Sequence, residues 1–254
     1  MISVRPIVLI ARFVLLEALR GGLPWLGLAC VTMSVGLAAF LAQVALTETR
    51  ELQAAAAAAL LRASGAFLMA AHVVASVARE ASERGLELAL TLPISRSAYY
   101  AGKLAGFSCC ALLLATTFAA PLLLWTSPAA LSLWWASLAT EMALVAAMAL
   151  FFSIALPGIV PAVAATAALY LLGRSLSAIQ AIAAGPLAER ESALLGIVDW
   201  LSLLIPRLDA ATRTEWLLYG LPAPGDQIAA VAGLAIYCTF ISAAGLFDFS
   251  RRDL

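Results

Sequence analysis

Six times along the chain, more than twenty predominantly apolar residues run together: near 24–46, 57–78, 99–125, 133–156, 162–184 and 226–247. About 20 helical residues cross the hydrocarbon layer of a bilayer, so each run has the length of a membrane span. The rest of the composition agrees. The 254 residues are 64% hydrophobic and 12% charged, whereas a soluble domain carries about 25% charged residues. One water-soluble domain could not bury this much apolar surface. The expected fold class is an all-α membrane protein of six transmembrane helices in a single membrane domain, 1–254.

Residues 1–22 differ from the six runs. Arg5, Arg12 and Arg20 fall on one side of a helix, and Val4, Ile7, Ala11, Val14 and Ala18 line the other. That pattern predicts an amphipathic interfacial helix. Arg12 interrupts the apolar core that a cleaved signal peptide requires, so cleavage is not expected.

Six spans place both termini on one side. With the termini inside, the cytoplasmic segments hold Arg5, Arg12, Arg20, Arg79, Arg84, Arg96, Lys103, Arg251 and Arg252. The far side holds Arg50, Arg62, Arg190, Arg207 and Arg213, and Arg174 is intramembrane. The surplus favours cytoplasmic termini under the positive-inside rule. Trp125, Trp134 and Trp135 then fall at outer span ends and Trp25 at an inner one, as interfacial aromatics do. Net charge is zero, which gives no field to attract nucleic acid.

Two segments between spans are long enough for structure of their own. In the cytoplasmic loop 79–98, Arg79, Glu80, Glu83, Arg84 and Glu87 recur at three- and four-residue spacing, which lets opposite charges support one another on a helix. Pro93 stops that helix and Ser95 can cap the next. Gly102 and Gly106 form a small-xxx-small pair for close helix packing. A short helix here, polar toward the cytoplasm, can take a push from a soluble partner and pass it to spans 2 and 3. In the outer segment 185–225, Asp199 and Pro206 interrupt LLGIVDWLSLLIP, so a re-entrant or interfacial element is expected instead of a seventh span.

The run EASERGLELALTLPISRSAYYAGKLAG resembles the cytoplasmic signature of the type-2 ABC exporter permeases. In that family an acidic residue, a Gly-Leu-Glu and a Leu-Pro-Ile/Val-Ser/Thr-Arg pattern precede span 3. Downstream, LSLLIPRLDAATRTEWLLYG is similar to the family's Pro-containing stretch ending in Tyr-Gly before the last span, and GLFDFSRRDL resembles its usual C-terminus. The resemblance implies a bacterial inner-membrane permease subunit that pairs with a second permease, identical or homologous. Two copies of a separate ABC ATPase subunit would dock beneath the pair and hold the ATP and Mg. It also implies that the loop 79–98 carries a coupling helix, with ATPase contacts through Arg12, Glu17, Arg20, Glu80, Glu83, Arg84, Glu87, Pro93, Ser95 and Arg96. The chain has no GxxxxGK[ST] phosphate cradle, so ATP hydrolysis is expected of the partner and not of this chain. The mostly Ala, Leu and Val spans suit an apolar, amphipathic or lipid-linked cargo.

Three ionisable residues sit where lipid would be costly: His72, Glu141 and Arg174. At about 1.5 Å per residue, Glu141 and Arg174 stand roughly 12 Å and roughly 15 Å from the outer ends of neighbouring spans, which predicts that they pair. The pair can be structural glue between helices, or part of a polar substrate site or gate. His72 is read as a hydrogen-bonded packing residue ahead of a proton relay. PGIVP, residues 157–161, predicts a tight turn.

Other chemistry finds little support. Cys30, Cys109, Cys110 and Cys238 all sit in apolar runs, and no Cys/His cluster has metal-site spacing. Ser64 and His72 share one span about 12 Å apart, too far for a membrane serine protease. Spans 1–3 and 4–6 lack the matched broken helices of many secondary transporters. A non-catalytic membrane scaffold or assembly factor is the alternative to the permease.

Overall fold

The computed structural model describes residues 4–44, 48–82, 95–183, 200, 205–212, 217 and 224–251. These form α1 (Val4–Arg20), α2 (Leu23–Val44), α3 (Thr49–Ser82), α4 (Arg96–Leu122), α5 (Pro128–Ala155), α6 (Ile159–Ala183) and α7 (Pro224–Arg251), with one further helical turn at Leu208–Ala211. No strand occurs among the described residues. Helices α2 to α7 are the six that are long and apolar enough to cross a membrane. Most outlast the apolar runs that mark them. The helix α3 starts at Thr49, ahead of the predicted 57, because Arg50, Glu51 and the alanines that follow are compatible with helix even where they end the apolar pattern.

Local chemistry sets several boundaries. The Ser95 side chain caps α4 by accepting from the Ala98 N–H at 3.3 Å, as its position after Pro93 predicts. Ser127 does the same for α5, with Pro128 in the first turn where no donor is needed. The predicted 157–161 turn joins α5 to α6. Gly158 takes a φ of +97°, open to glycine at little cost, and Pro161 sits in the opening turn of α6.

Helix α5 is the axis of the bundle, touching α3, α4, α6 and α7. Its sequence has no polar stripe, and a helix that is apolar all round belongs inside. From Leu144 to Leu150 every residue is buried. By contrast α2 and α7 keep large apolar side chains exposed, among them Trp25, Phe40, Ile236 and Phe240, a surface suited to lipid.

The helix α1 runs along the first half of α4. Its Val14 and Ala18 are buried and its Arg5, Arg12 and Arg20 exposed, as are Val8, Leu9, Phe13 and Leu19. Gly102 and Gly106 let the two backbones approach. A Cβ built on Gly102 would lie 2.8 Å from the Ile10 Cβ, and one on Gly106 2.7 Å from the Val14 Cβ. The small-xxx-small pair therefore receives α1.

The last turns of α7 pack against the start of α4. Phe249 of α7 is buried and stacks on Tyr99 of α4, ring centroids 5.9 Å apart, with Tyr100 beside it at 6.3 Å.

Candidate functional site

Two polar assemblies interrupt the apolar bundle. The first is a buried cluster around Glu141 of α5. Its Oε2 takes a charge-assisted hydrogen bond from Arg62 of α3. Its Oε1 accepts from the Tyr170 hydroxyl at 2.9 Å and from Arg174 at 3.3 Å, both on α6. Arg62 also donates to the Ser137 hydroxyl at 3.0 Å and lies over the Trp134 ring, 5.3 Å from its centroid. Arg174 donates to the Thr212 hydroxyl at 2.6 Å, which fastens the 205–212 segment to α6. Gly173 admits that segment: a Cβ there would lie 2.7 Å from the Pro206 carbonyl oxygen. One carboxylate thus joins α3, α5 and α6, and Arg174 extends the junction to the turn beyond Pro206.

The predicted Glu141–Arg174 pair is present, and it is the weaker half of the cluster. Arg62 is the closer partner and was missed, since counting it with the far-side loops put it outside the bundle; its side chain is 1% exposed. The match in depth shows only once the helix starts are known. Arg62 and Glu141 each stand thirteen residues past the first residue of their helices, which run in the same direction, so their depths match. Trp134 is buried against Arg62 within the bundle. Trp135 keeps a peripheral position and donates to Thr116 at 3.1 Å, and the Trp125 carbonyl accepts from Arg50 at 3.0 Å.

The second assembly ties α1, α3 and α4 together near the start of α4. Glu17 of α1 accepts from Ser76 at 3.1 Å and from Arg79 at 2.7 Å, both on α3. Glu80 of α3 pairs with Lys103 of α4 at 2.5 Å, and Lys103 also lies about 6 Å from the Tyr99 and Phe107 rings. Arg79 and Glu80 therefore pair between helices, whereas their spacing suggested support along one helix. His72 packs edge-on against Phe107 with centroids 6.0 Å apart, and its Nε2 is buried without a hydrogen-bond partner. It is a packing histidine, but not the hydrogen-bonded one expected.

Of the residues singled out for ATPase contact, Arg12 and Arg20 are exposed on α1, while Glu17 and Glu80 are engaged within the bundle. Ser95 caps α4 and Arg96 opens it. Glu83, Arg84, Glu87 and Pro93 lie outside the described residues, as does most of 185–225. Within that segment, residues 205–212 pack onto α6 with Ile205, Leu208 and Thr212 buried. No disulfide joins the cysteines. No protein-family model matches the chain, and no curated protein is detectably similar to it in sequence.

Proposed function

We propose that the chain is the membrane-spanning permease subunit of an ATP-driven exporter of the type-2 ABC class. It would act in the bacterial inner membrane as a pair of permeases, with ATP and Mg held by two copies of a separate ATPase. The observation that carries this reading is the convergence of the resembling segments. The flanks of the 79–98 loop and the Phe-Asp-Phe-Ser-Arg ending meet at one end of the bundle, through Tyr99, Tyr100 and Phe249. Glu17–Arg79 and Glu80–Lys103 bind α1, α3 and α4 around the roots of that loop. In this mechanism, closure of the ATPases pushes the loop. The two ion pairs make α1 and the adjoining halves of α3 and α4 move together, and the strain reaches α5 through its contacts with α3 and α4. The apolar spans favour a cargo that is apolar, amphipathic or lipid-linked.

The test is purification from the native membrane in mild detergent, followed by intact-mass analysis. A stoichiometric soluble ATPase is expected, with one or two kinds of permease chain. A chain that purifies alone would move the assignment to a membrane scaffold. Given a complex, Glu83→Lys with Glu87→Lys should leave it assembled and uncouple ATP hydrolysis from transport. Normal transport by that double variant would remove the loop from the mechanism.

A further inference from the structure

The cluster around Glu141 has more donors than acceptors. Two guanidiniums share one carboxylate, and that carboxylate is already engaged by Arg62, Tyr170 and Arg174. The Ser137 and Thr212 hydroxyls accept from the arginines and pass their own protons to the carbonyls of Trp134 and Leu208. Among the described residues, the Arg62 Nε–H and the Trp134 Nε1–H are left over, buried and without partners on side chains that are each 1% exposed. The Arg174 guanidinium, 33% exposed, uses only one of its nitrogens. Among the described residues, the carboxylate of Asp209 is turned to the Ser177 backbone N–H at 2.8 Å and makes no ion pair with Arg174; its other oxygen is buried and unpartnered. Buried donors and an extra positive charge at membrane depth are both costly until an acceptor arrives.

We infer that this cluster is an anion-binding site for an oxyanion, a carboxylate or phosphate group, received by Arg174. A guanidinium presents paired N–H groups that match such an oxyanion. Arg174 is the accessible member and meets the ligand, while the buried Arg62, held on the other oxygen of Glu141, adds positive charge. The surrounding helices are apolar, which favours an anion carried on an amphipathic molecule over a free ion. The site belongs to the chain itself and does not depend on the transport reading, because binding needs no ATPase.

The experiment titrates the purified full chain, in non-ionic detergent, with phosphatidylglycerol, phosphatidylcholine, oleate and inorganic phosphate, and follows binding by native mass spectrometry. Phosphatidylglycerol or oleate should bind about tenfold more tightly than zwitterionic phosphatidylcholine, and Arg174→Gln should remove that preference. Arg174→Lys, which keeps the charge but loses the paired donors, should lie between, and serves if the Gln variant does not fold. Competition by inorganic phosphate would assign the site to free anions; its failure to compete, with the preference present, assigns it to a headgroup. Equal binding of the two phospholipids with no uptake of oleate or phosphate, or anion binding unchanged in both Arg174 variants, would overturn the inference.

Discussion

Arg62 and Glu141 form an ion pair in which neither side chain reaches the surface, 1% and 0% exposed. Such a pair gives little net stability over an apolar pair of the same shape, yet breaking it strands a buried charge. Glu141→Ala leaves two guanidiniums facing each other, and Arg62→Ala leaves Glu141 with only its α6 partners. Each should destabilise the bundle by about 3–5 kcal/mol, whereas Arg62→Met with Glu141→Leu should recover most of the loss. Thermal unfolding in detergent separates the cases. Unchanged melting of Glu141→Ala would mean that the cluster is not intact in the membrane protein.

Arg174 should behave differently. At 3.3 Å from Glu141 and 33% exposed, it is partly screened, and Glu141 keeps Arg62 when Arg174 is lost. Arg174→Ala should therefore cost about 1 kcal/mol, well below Arg62→Ala. It should also loosen the 205–212 segment, which Arg174 holds through Thr212. Hydrogen exchange of residues 208–212 is the check: faster exchange there, with α3 unchanged, is the expected pattern.

The contrast between these two arginines shows what the residue order reveals. The spans and the capping by Ser95 follow from patterns that any helix imposes, so they are legible before any coordinates. The Glu141–Arg174 pairing follows too, since α5 and α6 are joined by a short turn. Arg62 did not, because α3 and α5 are not consecutive and hydropathy carries no information about which distant helices touch. Glu17 and Glu80 illustrate the same limit. Their charges suggested a surface for a partner or support along a helix, and only tertiary packing reveals Arg79 and Lys103 as their partners.

Gly106 offers a test of the α1–α4 contact. A Cβ there would meet the Val14 Cβ at 2.7 Å and the Ala11 carbonyl oxygen at 3.0 Å, and backbone cannot rotate away as a side-chain tip can. Gly106→Leu should displace α1 and cost about 1–3 kcal/mol. Hydrogen exchange reads the displacement: faster exchange along α1 in the variant, with α5 unchanged, is the expected pattern. Exchange of α1 equal to that of the parent would show that α1 tolerates the added volume.

The two ion pairs near the start of α4 should contribute unequally. Arg79 is 59% exposed and Glu17 35%, so solvent screens that pair, and a double-mutant cycle should return less than about 1 kcal/mol of coupling. Lys103 is 7% exposed and Glu80 22%, with the ammonium also near two aromatic rings. Burial strengthens the attraction and makes a lone Lys103 costly to leave unpaired, so Glu80→Ala should destabilise by about 1–3 kcal/mol. Lys103→Met combined with Glu80→Leu should restore much of that, because it removes both charges from the packed junction. Thermal unfolding across the two cycles measures both couplings. A Glu17–Arg79 coupling as large as that of Glu80–Lys103 would place the firmer tie on α1 instead of between α3 and α4.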